Sequence, residues 1–288
     1  MTNGAPAWSV RALRIDAEQV LTRYETRLRG RASGLLLSLE GRLDRIMQGW
    51  LLLAGLACAA RIATSPFHAT IGIGGVLPLL LLILAPFASM VLALRWFADG
   101  DSQPQPRTRL ALIGRWRSVR AEEARRHHLY GAGGIMVSLL VGILLNVPIR
   151  ALEYLAAIPP IAGPVPEWLT VLHTMMTLDV VLLTSLYTIA FVAALRRVPL
   201  FPRLLVAIWA VDLAMQLIVA QAVVSTPGLP QTVADALQAL IDGNVKKVLI
   251  SVGLWLPYLL MSRRVNVTYR HRMPALAPVR HTQPHNPS

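Results

Sequence analysis

The chain has 288 residues, 55% of them hydrophobic and only 15% charged. Soluble domains carry about 25% charged residues, and a mean hydropathy of +0.52 points the same way, so the composition excludes a water-soluble globular protein. The net charge of +13 raises the idea of a nucleic-acid partner, but the basic residues flank apolar runs instead of lining a polar face, so no nucleic acid is expected.

Residues 1–46 are polar and Arg-rich. From Trp8 to Leu28, Val10, Leu13, Val20, Leu21 and Tyr24 interleave with Arg11, Arg14, Arg23 and Arg27 at roughly helical spacing, which predicts a basic amphipathic helix interrupted at Gly30 and Gly34. Such a helix either lies on an anionic cytoplasmic leaflet, where each Arg contributes about 1 kcal/mol, or packs on the cytoplasmic ends of the spans. The first apolar run begins too late for a cleaved signal peptide, so the first span is expected to be retained. Cys58 lies within it and reads as a small core residue.

Six apolar stretches follow, at Met47–Ala63, Ile73–Phe97, Leu129–Val147, Trp168–Leu195, Leu204–Val224 and Val248–Met261. A hydrocarbon core of about 30 Å needs about 20 apolar residues in a helix, and most of these meet that length. Pro78 and Pro86 kink the second, and Pro148 is read as the stop of the third. The connection 148–167 and the connection 225–245, with an interfacial helix at Gln231–Ile241, are too short for an extracytoplasmic domain.

The basic residues give the orientation. The amino segment, the 95–128 loop, the 196–203 turn and the carboxyl tail hold twenty-four Lys and Arg. The other three connections hold four, namely Arg61, Arg150, Lys246 and Lys247. Cytoplasmic loops accumulate these residues, so both termini are expected in the cytoplasm. Trp50, Trp96, Trp168 and Trp255 fall near span ends, where interfacial aromatics sit. The predicted fold class is therefore all-α and polytopic. It comprises a basic segment 1–46, a two-helix hairpin 47–98, a basic loop 99–127 with a short surface helix, a four-helix unit 128–270 and a disordered Pro-rich tail 271–288.

Several stretches from Gly131 onward form a recognisable series. Gly133-Gly134 opens the third span and Pro148 closes it, Phe201-Pro202-Arg203 turns into the fifth, and Trp255-Leu256-Pro257-Tyr258 leads to Ser262-Arg263-Arg264-Val265-Asn266-Val267-Thr268-Tyr269. This resembles the bacterial inner-membrane family catalogued as domain of unknown function 2569. Its members show Gly-Gly-Trp-Leu, then Phe-Pro-Arg, then Trp-x-Pro-Tyr and Ser-Lys-Arg-Val-Lys-x-Thr-Phe. Here Ile135-Met136 replaces Trp-Leu, Asn266 the second Lys and Tyr269 the Phe. The resemblance implies a four-helix unit in a bacterial cytoplasmic membrane, and it implies no activity. Gly49-Trp50-Leu51-Leu52 also matches the family's opening, through partial duplication or through chance likeness of apolar helices.

Charges inside spans are the first place to look for chemistry, because an Asp at a helix centre costs about 2.5–3.5 kcal/mol. Asp212 falls near mid-membrane with Gln216 one turn on, and Asp179 lies in the outer third at a depth comparable to Lys247 and Arg61. An Asp179–Lys247 or Asp179–Arg61 pair is geometrically allowed at these depths. The cluster is either helix–helix glue or a proton- or ion-linked site with Asp212 as the titrating group. Nucleophile-elbow, zinc-protease and phosphate-loop motifs are missing, and neither His127-His128 nor His271, His281 and His285 has metal-site spacing. No enzyme activity, cofactor or metal is expected. The expected partners are the bilayer, anionic lipid at the cytoplasmic face and a membrane-protein partner. The leading expectation is a non-enzymatic accessory or scaffold subunit; the alternative is a small transporter or channel.

Overall fold

A computed structural model describes residues 39, 41–65, 72–108, 115–161 and 163–275. The helix predicted between Trp8 and Leu28 and the tail from residue 276 lie outside them. Six long helices carry the architecture: α1 (Leu43–Ala63), α2 (Ile73–Trp96), then, after the short α3 (Ala121–Arg125), α4 (Ile135–Ala157), α5 (Glu167–Leu195), α6 (Phe201–Val224) and α7 (Gln231–Met261). A final helix, α8 (Arg263–Arg270), lies across one end. The protein is an all-α, multi-pass membrane protein, since all six long helices are long and apolar enough to span a bilayer.

The layout follows from which faces are apolar. α5 is buried nearly all round through its second half, with Phe191, Ala193 and Ala194 fully inaccessible, so it takes the centre. Its neighbours are α2, α4 and α6; α1 packs on α2 and α4, and α7 packs on α6. Outward-facing Leu52, Leu56, Leu84, Leu217, Ile250 and Leu254 are all at least half exposed. In water they would form far more apolar surface than a soluble monomer tolerates, whereas lipid covers them without cost.

Two of the boundaries that differ from expectation matter for the site. Pro148 does not end the third span; α4 runs on to Ala157 with the proline inside it. Proline removes one backbone donor and bends a helix, but within a bundle the neighbours hold the helix together. Arg150 therefore lies in a helix and not in a connection. In the last span, the expected interfacial helix at Gln231–Ile241 is the first part of one continuous 31-residue helix. At 1.5 Å per residue it is about 46 Å long, so it extends beyond the hydrocarbon or tilts. With Arg61, Lys246 and Lys247 also inside helices, the connections 64–72, 158–166 and 225–230 hold no Lys or Arg at all.

At the opposite end the chain builds a cap. Ser262 breaks α7 in extended conformation and its hydroxyl accepts from the Val265 N–H (3.4 Å), starting α8. α8 buries Val265, Val267 and Tyr269 completely. The Tyr269 hydroxyl donates to the Ala194 carbonyl at 2.8 Å, and its ring meets Phe201 at 5.1 Å. β1 (Trp116–Ser118) then pairs antiparallel with β2 (Arg272–Pro274). The tail predicted to be disordered from residue 271 is thus ordered to at least Ala275, whose N–H donates to the Arg115 carbonyl at 2.9 Å.

Candidate functional site: a buried arginine between two aspartates

Helical spacing puts polar side chains on single faces of four helices. On α4, Asn146, Arg150 and Glu153 follow at i, i+4 and i+7; on α6, Asp212 and Gln216 lie one turn apart; on α7, Asn244, Lys247 and Ser251 follow at i, i+3 and i+7. α5 contributes Asp179 and, two turns on, Tyr187. These faces converge on the Arg150 guanidinium. Its Nη1 donates to Asp179 Oδ2 at 2.9 Å, and its Nη2 reaches both oxygens of Asp212 at 2.8 Å. The Tyr187 hydroxyl donates to Asp212 Oδ2 at 2.9 Å. Gln216 donates to Asp179 Oδ1 at 3.3 Å, and Asn244 donates to Gln216 Oε1 at 3.3 Å.

The cluster is deep. Asp212 is fully inaccessible and Asp179 is 5% exposed. Counted along the helices, Asp212 lies about 16 Å from the start of α6 and Arg150 about 22 Å from the start of α4. Two carboxylates face one guanidinium. Bringing such charges out of water costs several kcal/mol per ion, and their attraction offsets this only with good geometry and satisfied hydrogen bonds. The geometry here meets that condition, but the charges do not cancel: the cluster as ionised carries one negative charge too many.

Beside the cluster, α4 does not pack closely along α6 or α7. The gap is a cleft of about 260 Å³ lined by Asn146, Arg150, Tyr187, Trp209 and Trp255, with the inaccessible Asp212 in its wall. Lys247 and Glu153 bridge α7 and α4 at its mouth through a 2.5 Å ion pair, with side chains 59% and 39% exposed.

The expected site residues divide accordingly. Asp212, Gln216 and Asp179 are brought together. Lys247 is close by but pairs with Glu153, so the Asp179–Lys247 pair that the depths allow does not form. Arg61 donates instead to the Ile158 carbonyl at 3.4 Å, and the Asp179–Arg61 pair does not form either. The reason in both cases is Arg150, which takes Asp179 from within its own span. Sequence reasoning missed Arg150, Tyr187, Glu153 and Asn244. A signal was present: the apolar periodicity of Ala151, Tyr154 and Leu155 continues beyond Pro148.

The motif residues form a second assembly, at the capped end. Gly134 has φ +65°, and a Cβ there would lie 3.6 Å from the Arg264 guanidinium; at Gly133 it would lie 3.4 Å away. Arg264 donates to the carbonyls of Leu129 and Gly131 at 3.2 and 3.4 Å. The Thr268 hydroxyl accepts from the Gly131 N–H at 3.1 Å. Pro202 sits in the first turn of α6, Arg203 donates to the Thr108 hydroxyl, and Trp255 meets Tyr258 edge-on at 6.0 Å. Pro257 lies inside α7. Apart from Trp255 these residues stay away from the polar cleft. Trp50, expected at the interface, donates from its indole to the Ile83 carbonyl at 2.9 Å, beside the break made by Pro86.

Among the described residues no group of three or more His, Cys, Asp or Glu is placed to hold a metal. His127 and His128 stack on each other at 4.4 Å, and His127 Nδ1 accepts from the Leu129 N–H at 3.1 Å. Burial, then the neighbouring His128, lowers the His127 pKa below its ordinary 6.5. Set against known proteins, the chain matches no protein-family model, no curated protein and no solved structure.

Proposed function

We propose that this protein is a small transporter of the bacterial cytoplasmic membrane, with both termini inside, that couples movement of a solute to a proton or cation at the Arg150–Asp179–Asp212 cluster. One observation carries the reading: a buried guanidinium shared by two buried carboxylates, at the wall of an open cleft. Glue between helices needs no cleft and gains nothing from an excess charge. A coupling site needs both, because it must be reached by the solute and must change its charge. The orientation is supported by the outer connections that hold no Lys or Arg.

The test is flux in reconstituted vesicles. A proton gradient is imposed and a panel of small solutes is screened, with the parent chain and Asp212→Asn side by side. Gradient-driven uptake that the variant lacks is the expected result. Absence of flux from the parent, or equal flux from both, overturns the reading.

The basic loop from Arg107 to Arg126 favours a second reading, a non-enzymatic accessory subunit whose cytoplasmic face touches anionic lipid or a membrane-protein partner. Affinity capture in mild detergent tests it, and recovery of this chain alone counts against it. We also propose that residues 128–270 belong with domain of unknown function 2569, on the strength of the closing Ser262–Tyr269 motif.

A further inference from the structure

The cleft bounds its own occupant by size, charge and wall. Its volume of about 260 Å³ falls below the roughly 300–1,000 Å³ of drug-sized sites, so the occupant is small. The ionisable groups that face Asp212 are Arg150 and Glu153 on α4, Asp179 and Tyr187 on α5, and Lys247 on α7. Glu153 and Lys247 cancel, Tyr187 is a neutral donor, and the remainder sums to one negative charge. Isolated buried charge in a membrane is costly, so the site takes up one positive charge, either a proton or a cation.

The walls choose between kinds of cation. Trp209, Trp255 and Tyr187 line the cleft together with aliphatic Leu139, Ile143 and Val248. Hard metal ions want six or more oxygen ligands, and both oxygens of Asp212 are already engaged by Arg150 and Tyr187. Aromatic faces, by contrast, attract weakly hydrated organic cations.

We propose that the cleft between α4, α6 and α7 binds a small organic monocation, an alkylammonium with an apolar body, and that this cation and one proton compete for the single uncompensated negative charge of the Arg150–Asp179–Asp212 cluster. The inference rests on the transport reading of the same site and names its solute class. The exchange balances: the cation enters, one proton leaves the aspartate pair, and the charge of the cleft is unchanged.

The test uses the purified full chain in detergent and the probe phenyltrimethylammonium, followed by tryptophan fluorescence and calorimetry. Its uncharged counterpart of the same shape, tert-butylbenzene, is the control. The expected result is saturable binding of the cation with release of about one proton, so that affinity falls about tenfold per pH unit once the pair is protonated. Asp212→Asn removes the excess charge and is expected to lower affinity at least about tenfold. Trp255→Leu, outside the ion network, is expected to weaken binding roughly three- to tenfold while keeping the pH dependence; it decides the matter if the Asp212 variant fails to fold. Equal binding of tert-butylbenzene, or cation binding indifferent to pH and to both substitutions, overturns the inference. Gradient-driven flux of another solute class without cation binding overturns the cation site and leaves transport standing. Cation binding with no flux retains the site and overturns transport.

Discussion

Replacing Arg150 by Met deletes the one cation in the cluster while keeping most of the side chain's volume. Asp179 and Asp212 are then left as buried carboxylates, 5% and 0% exposed, with no counter-charge between them. Removing one partner from a buried ion pair costs about 3–5 kcal/mol. For a chain of this size each kcal/mol shifts the midpoint by about 2–4 °C, so the expected loss of Tm is about 6–20 °C. Tryptophan-monitored thermal unfolding in detergent at neutral pH reads this directly. Two further measurements separate charge from packing. Lowering the pH protonates the stranded carboxylates, so the deficit of Arg150→Met relative to the parent shrinks as pH falls. The triple variant Arg150→Met, Asp179→Asn, Asp212→Asn has no net buried charge and should recover most of the loss. A shift under about 2 °C, or a triple variant no more stable than Arg150→Met, refutes the claim that the cluster is an electrostatic unit.

Further expectations concern the capped end. Gly134→Ala forces a Cβ into a positive-φ conformation (φ +65°, ψ −138°) that glycine alone adopts readily, beside Arg264, and should destabilise by about 1–3 kcal/mol, read as a lower Tm; an unchanged Tm removes the claim that the 129–134 loop is fixed by α8. His127 has a lowered pKa, so the folded form favours the neutral ring. Its contribution is complete above pH 6.5 and is lost as pH falls through the folded value. An NMR titration midpoint below 6.5, rising in His128→Ala, is expected; a midpoint above 6.5 contradicts the burial of the His127 ring beside His128.

Much of the fold was legible because lipid imposes one rule on the whole chain. Runs such as Ile73–Trp96 and Phe201–Val224 are apolar for the length of a bilayer, and their helix bounds lie within three residues of those read from the sequence. Where local rules compete with packing, the sequence misleads. Pro148 carries a strong stop signal, yet α4, packed on α5 and α1, continues beyond it, and the stop signal hid Arg150 in a supposed loop. The same competition joined Gln231–Ile241 to the last span: its polar face reads as interfacial, yet the helix runs on through Gly243 and Asn244 to Val248. Asp179, Asp212 and Gln216 were visible as intramembrane polar residues, since each violates the apolar rule by itself. Their partner was not, because an Arg next to an apparent helix end looks like an ordinary flank. The short β1–β2 pairing joins segments more than 150 residues apart in a three-residue register, which no local pattern encodes.

One exchangeable proton in the Arg150–Asp179–Asp212 cluster underlies the proposed coupling. Infrared difference spectroscopy of the purified chain, titrated from about pH 5 to pH 9, reads buried carboxylic acids by their C=O stretch. The proposed exchange places one proton on the cluster, so the prediction is one carboxylic-acid band per chain that disappears as pH rises and is missing from Asp212→Asn or Asp179→Asn. Spectra of the parent and both variants that superimpose across the whole range would contradict it.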